Sequence, residues 1–240
     1  MGVSVVPAAG AAYHPRPGTA TQEDAMQDDY KPMLAEFIGT FTLVFIGAGA
    51  GALGSGGLLG VALAHGFALM VIVYTIGGVS GAHVNPAITF GIAMAGKISW
   101  RRAGMYWASQ IGGAVAAAFL LQGVLGDRAG SLGATQLAQG VSAGQGFAIE
   151  GVLTFFLMMS VFVSGVLGKN GNMAGVAIGS VLIMDILMGG SLTGASMNPA
   201  RTMGPMIALG DFSNLWVYWA GPIAGAALGV VTVRYLHEEK

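Results

Sequence analysis

The chain has 240 residues, 54% of them hydrophobic and only 9% charged, with a mean hydropathy of +0.70. Soluble domains carry about 25% charged residues, so a soluble fold is excluded and a membrane protein is expected. A net charge of −1 argues against a nucleic-acid partner, and the absence of cysteine excludes disulfides, thiolate catalysis and Cys-based metal sites.

Residues 1–32 differ from the rest, carrying four of the eleven acids: Glu23, Asp24, Asp28 and Asp29. They read as a flexible cytoplasmic tail. Lys and Arg are missing from the first fifteen residues, so no signal-peptide n-region is expected there. Val6 stands where a myristoylation motif requires Ser or Thr. Residues 33–240 read as one membrane domain with repeat halves at about 33–125 and 146–237.

Six apolar segments follow, at about 33–54, 58–78, 101–125, 146–168, 173–190 and 213–236. Each is near the ~20 residues that a membrane-spanning helix needs. Two more, at about 85–96 and 198–209, are too short to span. Both short segments begin with Asn-Pro-Ala, at 85–87 and 198–200. Short hydrophobic segments at matching places in two halves mark an inverted repeat with discontinuous helices. The 41 glycines follow no Gly-X-Y period, which suits helices in close contact.

Subtraction supports the repeat. Glu36 and Glu150 are 114 apart, and Asn85 and Asn198 are 113 apart. Each half therefore holds three spans and one half-helix. Three is odd, so the second half runs through the membrane inverted. Arg16, Lys31, Lys97, Arg101, Arg102, Lys169, Arg234 and Lys240 then fall on one side. Arg128 falls on the other, and Arg201 lies within the fold. That asymmetry puts both termini in the cytoplasm.

Pro suits the first turn of a helix, and Asn is a favoured N-cap. Asn85 and Asn198 are thus expected to cap half-helices that begin at Pro86-Ala87 and Pro199-Ala200. Irregular backbone at membrane depth survives only where protein buries it or water lines it. Two N-termini meeting near the midplane would converge their positive dipole ends and repel cations. Each Asn side chain would offer N–H to a polar solute.

The paired motifs "SGAHVNPAITFG" and "TGASMNPARTMG", with a Glu in the first span of each half, resemble the major intrinsic protein family of aquaporins. The likeness covers about residues 33–237. It implies an all-α fold of six transmembrane helices and two re-entrant half-helices, a water-conducting pore in each subunit and a homotetramer. It implies no catalytic residue, no metal and no cofactor; the partners are water, small neutral solutes and the lipid bilayer.

Arg201 has no counterpart in the first half, where Ile88 follows Asn-Pro-Ala. The resemblance places this Arg in the outer selectivity filter. Offsets within the motifs carry over the other positions: His65, Ile186 and Ala195. Strict water channels of the family have Phe and His at the span positions, and glycerol channels have two aromatics. A second-span His with a fifth-span Ile resembles the plant tonoplast intrinsic subgroup. Thr202 follows Arg201 where glycerol-channel relatives carry Asp, and Tyr218-Trp219 resemble the water-channel relatives.

Glu36 and Glu150 read as acceptors for loop N–H groups rather than as a proton relay. His83 reads as a residue bonding backbone in its loop rather than a pH gate. Asp185 has no obvious partner and either anchors a loop or shapes the outer vestibule. Phe45, Phe67, Trp107 and "FFLMMSVF" read as packing, and Trp100, Trp216 and Trp219 as an aromatic belt. Water passage, with ammonia or other small neutral solutes, is the expected activity. A glycerol or urea facilitator is the alternative. An ion-coupled transporter would need titratable groups where the two Asn residues stand. No triad, metal cluster or phosphate loop supports an enzyme, and a structural membrane protein with a vestigial pore is the remaining reading.

Overall fold

The computed structural model describes residues 22–237. The tail reading falls largely on residues 1–21, which lie outside the described residues, as do 238–240. Every regular element among the described residues is helical. Six helices are long and apolar enough to cross a membrane: Tyr30–Ala52, Gly57–Ser80, Trp100–Ala129, Ala143–Val166, Gly171–Thr193 and Val217–His237. These are spans 1 to 6. Two short helices, Pro86–Met94 and Pro199–Leu209, are the half-helices.

The boundaries follow local chemistry. Span 2 ends at Gly81 with φ 89°, and span 5 ends at Gly194 with φ 82°. Both are left-handed C-caps that glycine adopts without a steric penalty. Ser99 caps span 3, and Ser142 with Gln145 forms a capping box on span 4. The first helix begins at Gln22, ahead of the hydropathic boundary at residue 33. Its opening turns are polar, so hydropathy alone hides them. Span 6 begins at Val217 rather than 213, because turns occupy the preceding residues.

Span 1 packs on span 3, span 4 on span 6, and spans 2 and 5 on each other. The first half-helix packs on span 6 and the second on span 3, so each half-helix rests on the last span of the opposite half. Spans 2 and 5 cross at Gly66 and Gly179. A methyl group on Gly66 would stand 2.7 Å from the Gly179 carbonyl oxygen, and one on Gly179 would stand 2.6 Å from that of Gly66. Small residues at such crossings let backbones approach, which is how membrane helices associate.

The main apolar cluster fills the space around both half-helices. It includes Ile72, Val84, Ile92, Leu157, Leu182 and Met197. The outer faces are apolar too. Phe67 is 53% exposed and so points outward rather than packing within the chain, contrary to the sequence reading. Phe45 stacks on Phe41 with ring centroids 5.7 Å apart. Trp100 and Trp216 are exposed near span ends, while Trp219 meets Trp107 edge to face.

Candidate functional site

The two buried glutamates organise the loops that lead into the half-helices. Glu36 Oε1 accepts from the Ser80 hydroxyl at 2.6 Å and the His83 N–H at 2.9 Å. Its Oε2 accepts from the Val84 N–H at 2.6 Å and Gln110 Nε2 at 2.7 Å. Glu150 Oε1 accepts from the Thr193 hydroxyl at 2.7 Å and the Ser196 N–H at 2.9 Å, and its Oε2 from the Met197 N–H at 2.6 Å. The donors of the two sets correspond one to one along the chain. Only Gln110 has no counterpart in the second set.

These bonds hold a strained backbone. Ala82, Val84, Ala195 and Met197 have φ of 50°, 43°, 44° and 52°. Such left-handed conformations cost non-glycine residues of order 1–3 kcal/mol each, most for a β-branched residue such as Val84. Fully accepted N–H groups on either side offset that cost. Tyr106 donates to the Ser80 carbonyl at 3.0 Å, and Tyr218 to the Thr193 carbonyl at 2.7 Å. The last spans of the halves thereby brace the same two loops.

Asn85 and Asn198 are extended residues that cap the half-helices, with Pro86 and Pro199 next in line. Asn85 Oδ1 accepts from the Ala87 N–H at 2.9 Å. Asn198 Oδ1 accepts from the N–H groups of Ala200 at 3.0 Å and Arg201 at 3.2 Å. The amide nitrogens cross between halves. Asn85 Nδ2 donates to the Met197 carbonyl at 2.8 Å, and Asn198 Nδ2 donates to the Val84 carbonyl at 2.8 Å. An amide nitrogen carries two hydrogens, so each Asn keeps one for another acceptor. The two half-helix N-termini therefore meet head to head.

A cavity of about 620 Å³ runs past this meeting point. Both Asn residues line it, together with His65, Ala195 and Arg201 and with Tyr74, Ser164 and Asn172. His65 Nδ1 lies 2.9 Å from the Val61 carbonyl, which assigns the hydrogen to Nδ1 and leaves Nε2 an acceptor. His65 Nε2 and Arg201 Nη1 are buried without hydrogen-bond partners. One accepts and the other donates.

Ile186 is also buried, but it does not line the cavity; it belongs to the apolar cluster that holds Ala195. Asp185 is buried as well, with Oδ2 unpartnered, and lines none of the cavity. The vestibule reading of Asp185 is therefore corrected: the fifth span turns this side chain into the protein. His83 also departs from expectation. Its ring bonds the Thr89 hydroxyl at 3.2 Å rather than backbone, and stands edge-on to Tyr106. Among the described residues no group of three His, Cys, Asp or Glu could hold a metal ion.

Several supporting residues escaped sequence reading. Trp107 does more than pack: its Nε1 donates to the Pro86 carbonyl at 3.0 Å. Arg234 Nη2 donates to the Ala95 carbonyl at 2.7 Å, a cation set at the C-terminal end of the first half-helix. Thr202 bonds Ser196 at 2.6 Å and Thr135 at 2.8 Å, which ties the 126–142 connection to the second loop. Ser80 and Thr193 are 113 apart and Tyr106 and Tyr218 are 112 apart, and this match to the repeat spacing is the signal that could have found them.

Comparison with known proteins agrees with this geometry. The sequence profile described as Major intrinsic protein matches residues 23–233. The chain is 42% identical over 205 residues to aquaporin NIP1-3 of Oryza sativa subsp. japonica, covering 82% of this chain and 70% of the relative. It is 42% identical over 217 residues to aquaporin TIP1-2 of Zea mays, covering 85% of each. A solved structure, the aquaglyceroporin from Plasmodium falciparum, superposes with a TM-score of 0.75 at 24% identity, covering 85% of this chain and 94% of that one, and so shares the fold. With six membrane-capable helices and two re-entrant half-helices, this is an integral multi-pass membrane protein. The chain belongs to the major intrinsic protein family, a family of channels for water and small solutes rather than enzymes.

Proposed function

We propose that this protein is a passive water channel that also passes ammonia and excludes protons and ions. The carrying observation is the head-to-head meeting of Asn85 and Asn198 in one cavity. Each Asn keeps one N–H for a passing oxygen or nitrogen. The converging helix N-termini carry a positive potential there. A solute that accepts hydrogen bonds is favoured, and a cation is opposed.

The filter is formed by His65, Ala195 and Arg201, which line the cavity, with Ile186 as its fourth member in the apolar cluster that holds Ala195. The unpartnered His65 Nε2 and Arg201 Nη1 support this reading, because a small solute that both donates and accepts would satisfy them together. Water and ammonia have that habit. Ala195 is small, and Ile186 stiffens the apolar wall behind it. Glu36, Glu150 and His83 hold the loops, and do not relay protons. The polypeptide forms one channel domain over 33–240 with halves at 33–125 and 146–237. It assembles as a homotetramer with both termini in the cytoplasm, as the basic-residue asymmetry suggests.

The test is a solute series in proteoliposomes, followed by light scattering, with an internal pH dye for ammonia. Water and ammonia should cross at comparable rates, and urea and glycerol more slowly. Glycerol or urea flux equal to that of water would favour a solute facilitator instead. A requirement for an ion gradient would indicate a coupled transporter.

A further inference from the structure

We propose that Gly47 sets the width of the filter by giving the His65 imidazole room to lie back against span 1. The inference rests on reading His65 as a filter residue. Gly47 is buried in the π-helical turn Val44–Ala48 of span 1. It is not part of the cavity lining, so its role is positioning.

The geometry is specific. A methyl group on Gly47 would stand 2.5 Å from His65 Nε2 and 2.6 Å from Cγ, and closer still to Cδ2 between them. Near-equal approach to three successive ring atoms places the methyl over the face of the imidazole, not beyond its edge. Non-bonded carbons rest about 3.5–4.0 Å apart, so the ring would have to withdraw by about 1 Å. His65 lines the cavity, and one face of its ring lies against Gly47. Withdrawal from Gly47 then carries the ring into the cavity that Ala195 and Arg201 also line. It also strains the 2.9 Å bond from Nδ1 to the Val61 carbonyl, which fixes the tautomer.

The residue at 47 thus decides two properties of a side chain on another helix. With no Cβ, the ring lies back, the aperture is wide and Nε2 is an acceptor. With any Cβ, the ring advances and the aperture narrows. Filter width is then encoded in span 1 as well as in the four filter side chains.

The experiment compares Gly47→Ala, His65→Ala and the double variant with the parent protein in proteoliposomes, normalised to reconstituted protein. Gly47→Ala should lower water flux by about threefold or more, and urea flux by at least as large a factor, because selection by this pore rests on diameter. In the His65→Ala background the same substitution should change neither flux by more than about 1.3-fold, since no ring is left to displace. Parent-like flux in Gly47→Ala overturns the proposal. So does an equal loss in both backgrounds, which would mean the methyl acts through the backbone. If Gly47→Ala alone fails to reach the folded state, recovery of folded protein in the double variant supports the steric link, and no recovery overturns it. The underlying filter reading fails separately: it is sunk if His65→Ala leaves the urea-to-water ratio unchanged.

Discussion

Asn85 donates from Nδ2 to the carbonyl of Met197, 112 residues away, at 2.8 Å. Asn198 returns the same bond to Val84. The two halves of the repeat are thus latched where both Asn residues line the cavity. Each Asn does three things with one amide: it caps a helix, holds the opposite loop and presents a donor.

Asn85→Ala removes a helix cap and a buried cross-half bond. A cap contributes roughly 1 kcal/mol and a buried hydrogen bond about as much. The purified variant should be less stable by about 2 kcal/mol in thermal or denaturant unfolding, with Asn198→Ala similar or worse because its Oδ1 caps two N–H groups. Unchanged unfolding midpoints would remove the latch from the explanation.

Glu36→Gln and Glu150→Gln test the loop brackets. A glutamine keeps one of the two oxygens and replaces the other by an NH₂ group, which then faces at least one backbone N–H that needs an acceptor. Leaving a buried donor unsatisfied costs about 1–3 kcal/mol. Folded yield and unfolding midpoint should drop in both variants, more for Glu36, whose carboxylate also accepts from Gln110. Proton flux should stay at the background level in whatever folded protein is recovered. A proton leak that disappears in either variant would instead reveal a relay.

The half-helices and the glutamate brackets were legible because they depend on rare residues in an apolar background. An Asn-Pro-Ala repeat and a spacing of 113 or 114 need no knowledge of packing. The hydroxyls of Ser80 and Thr193 were overlooked because Ser and Thr are common in membrane helices and carry no charge. The start of the first helix at Gln22, ahead of span 1, was hidden by its polar opening turns. The π-helical turns Val44–Ala48 and Phe162–Val166 have no periodic signal at all, since an apolar helix reads the same with either pitch. The sequence leaves Asp185 between two readings because hydropathy does not say which face of span 5 turns inward.

Ala195→Phe should fill the small side of the filter. Urea and glycerol flux should fall first, leaving much of the water flux. Ile186→His should add a polar group to the filter and shift the pore toward water alone, although Ile186 itself is not part of the cavity lining. Solute-specific light scattering on both variants is the measurement. If neither changes any solute's flux relative to water, the filter is built from other residues.

The chain has no cysteine, so a mercurial finds no thiol in it. Water flux should survive low mercury concentrations. Inhibition that a thiol reagent reverses would point to a contaminating channel in the preparation.

The most direct measurement is the shrinkage of proteoliposomes under an osmotic step, read beside the pH of an entrapped dye under an imposed proton gradient. Water should leave protein-containing vesicles much faster than empty ones, with a low activation energy, while the dye reports the same proton leak in both. Shrinkage no faster than in empty vesicles, or proton entry that rises with the amount of protein, would contradict a pore built on Asn85 and Asn198.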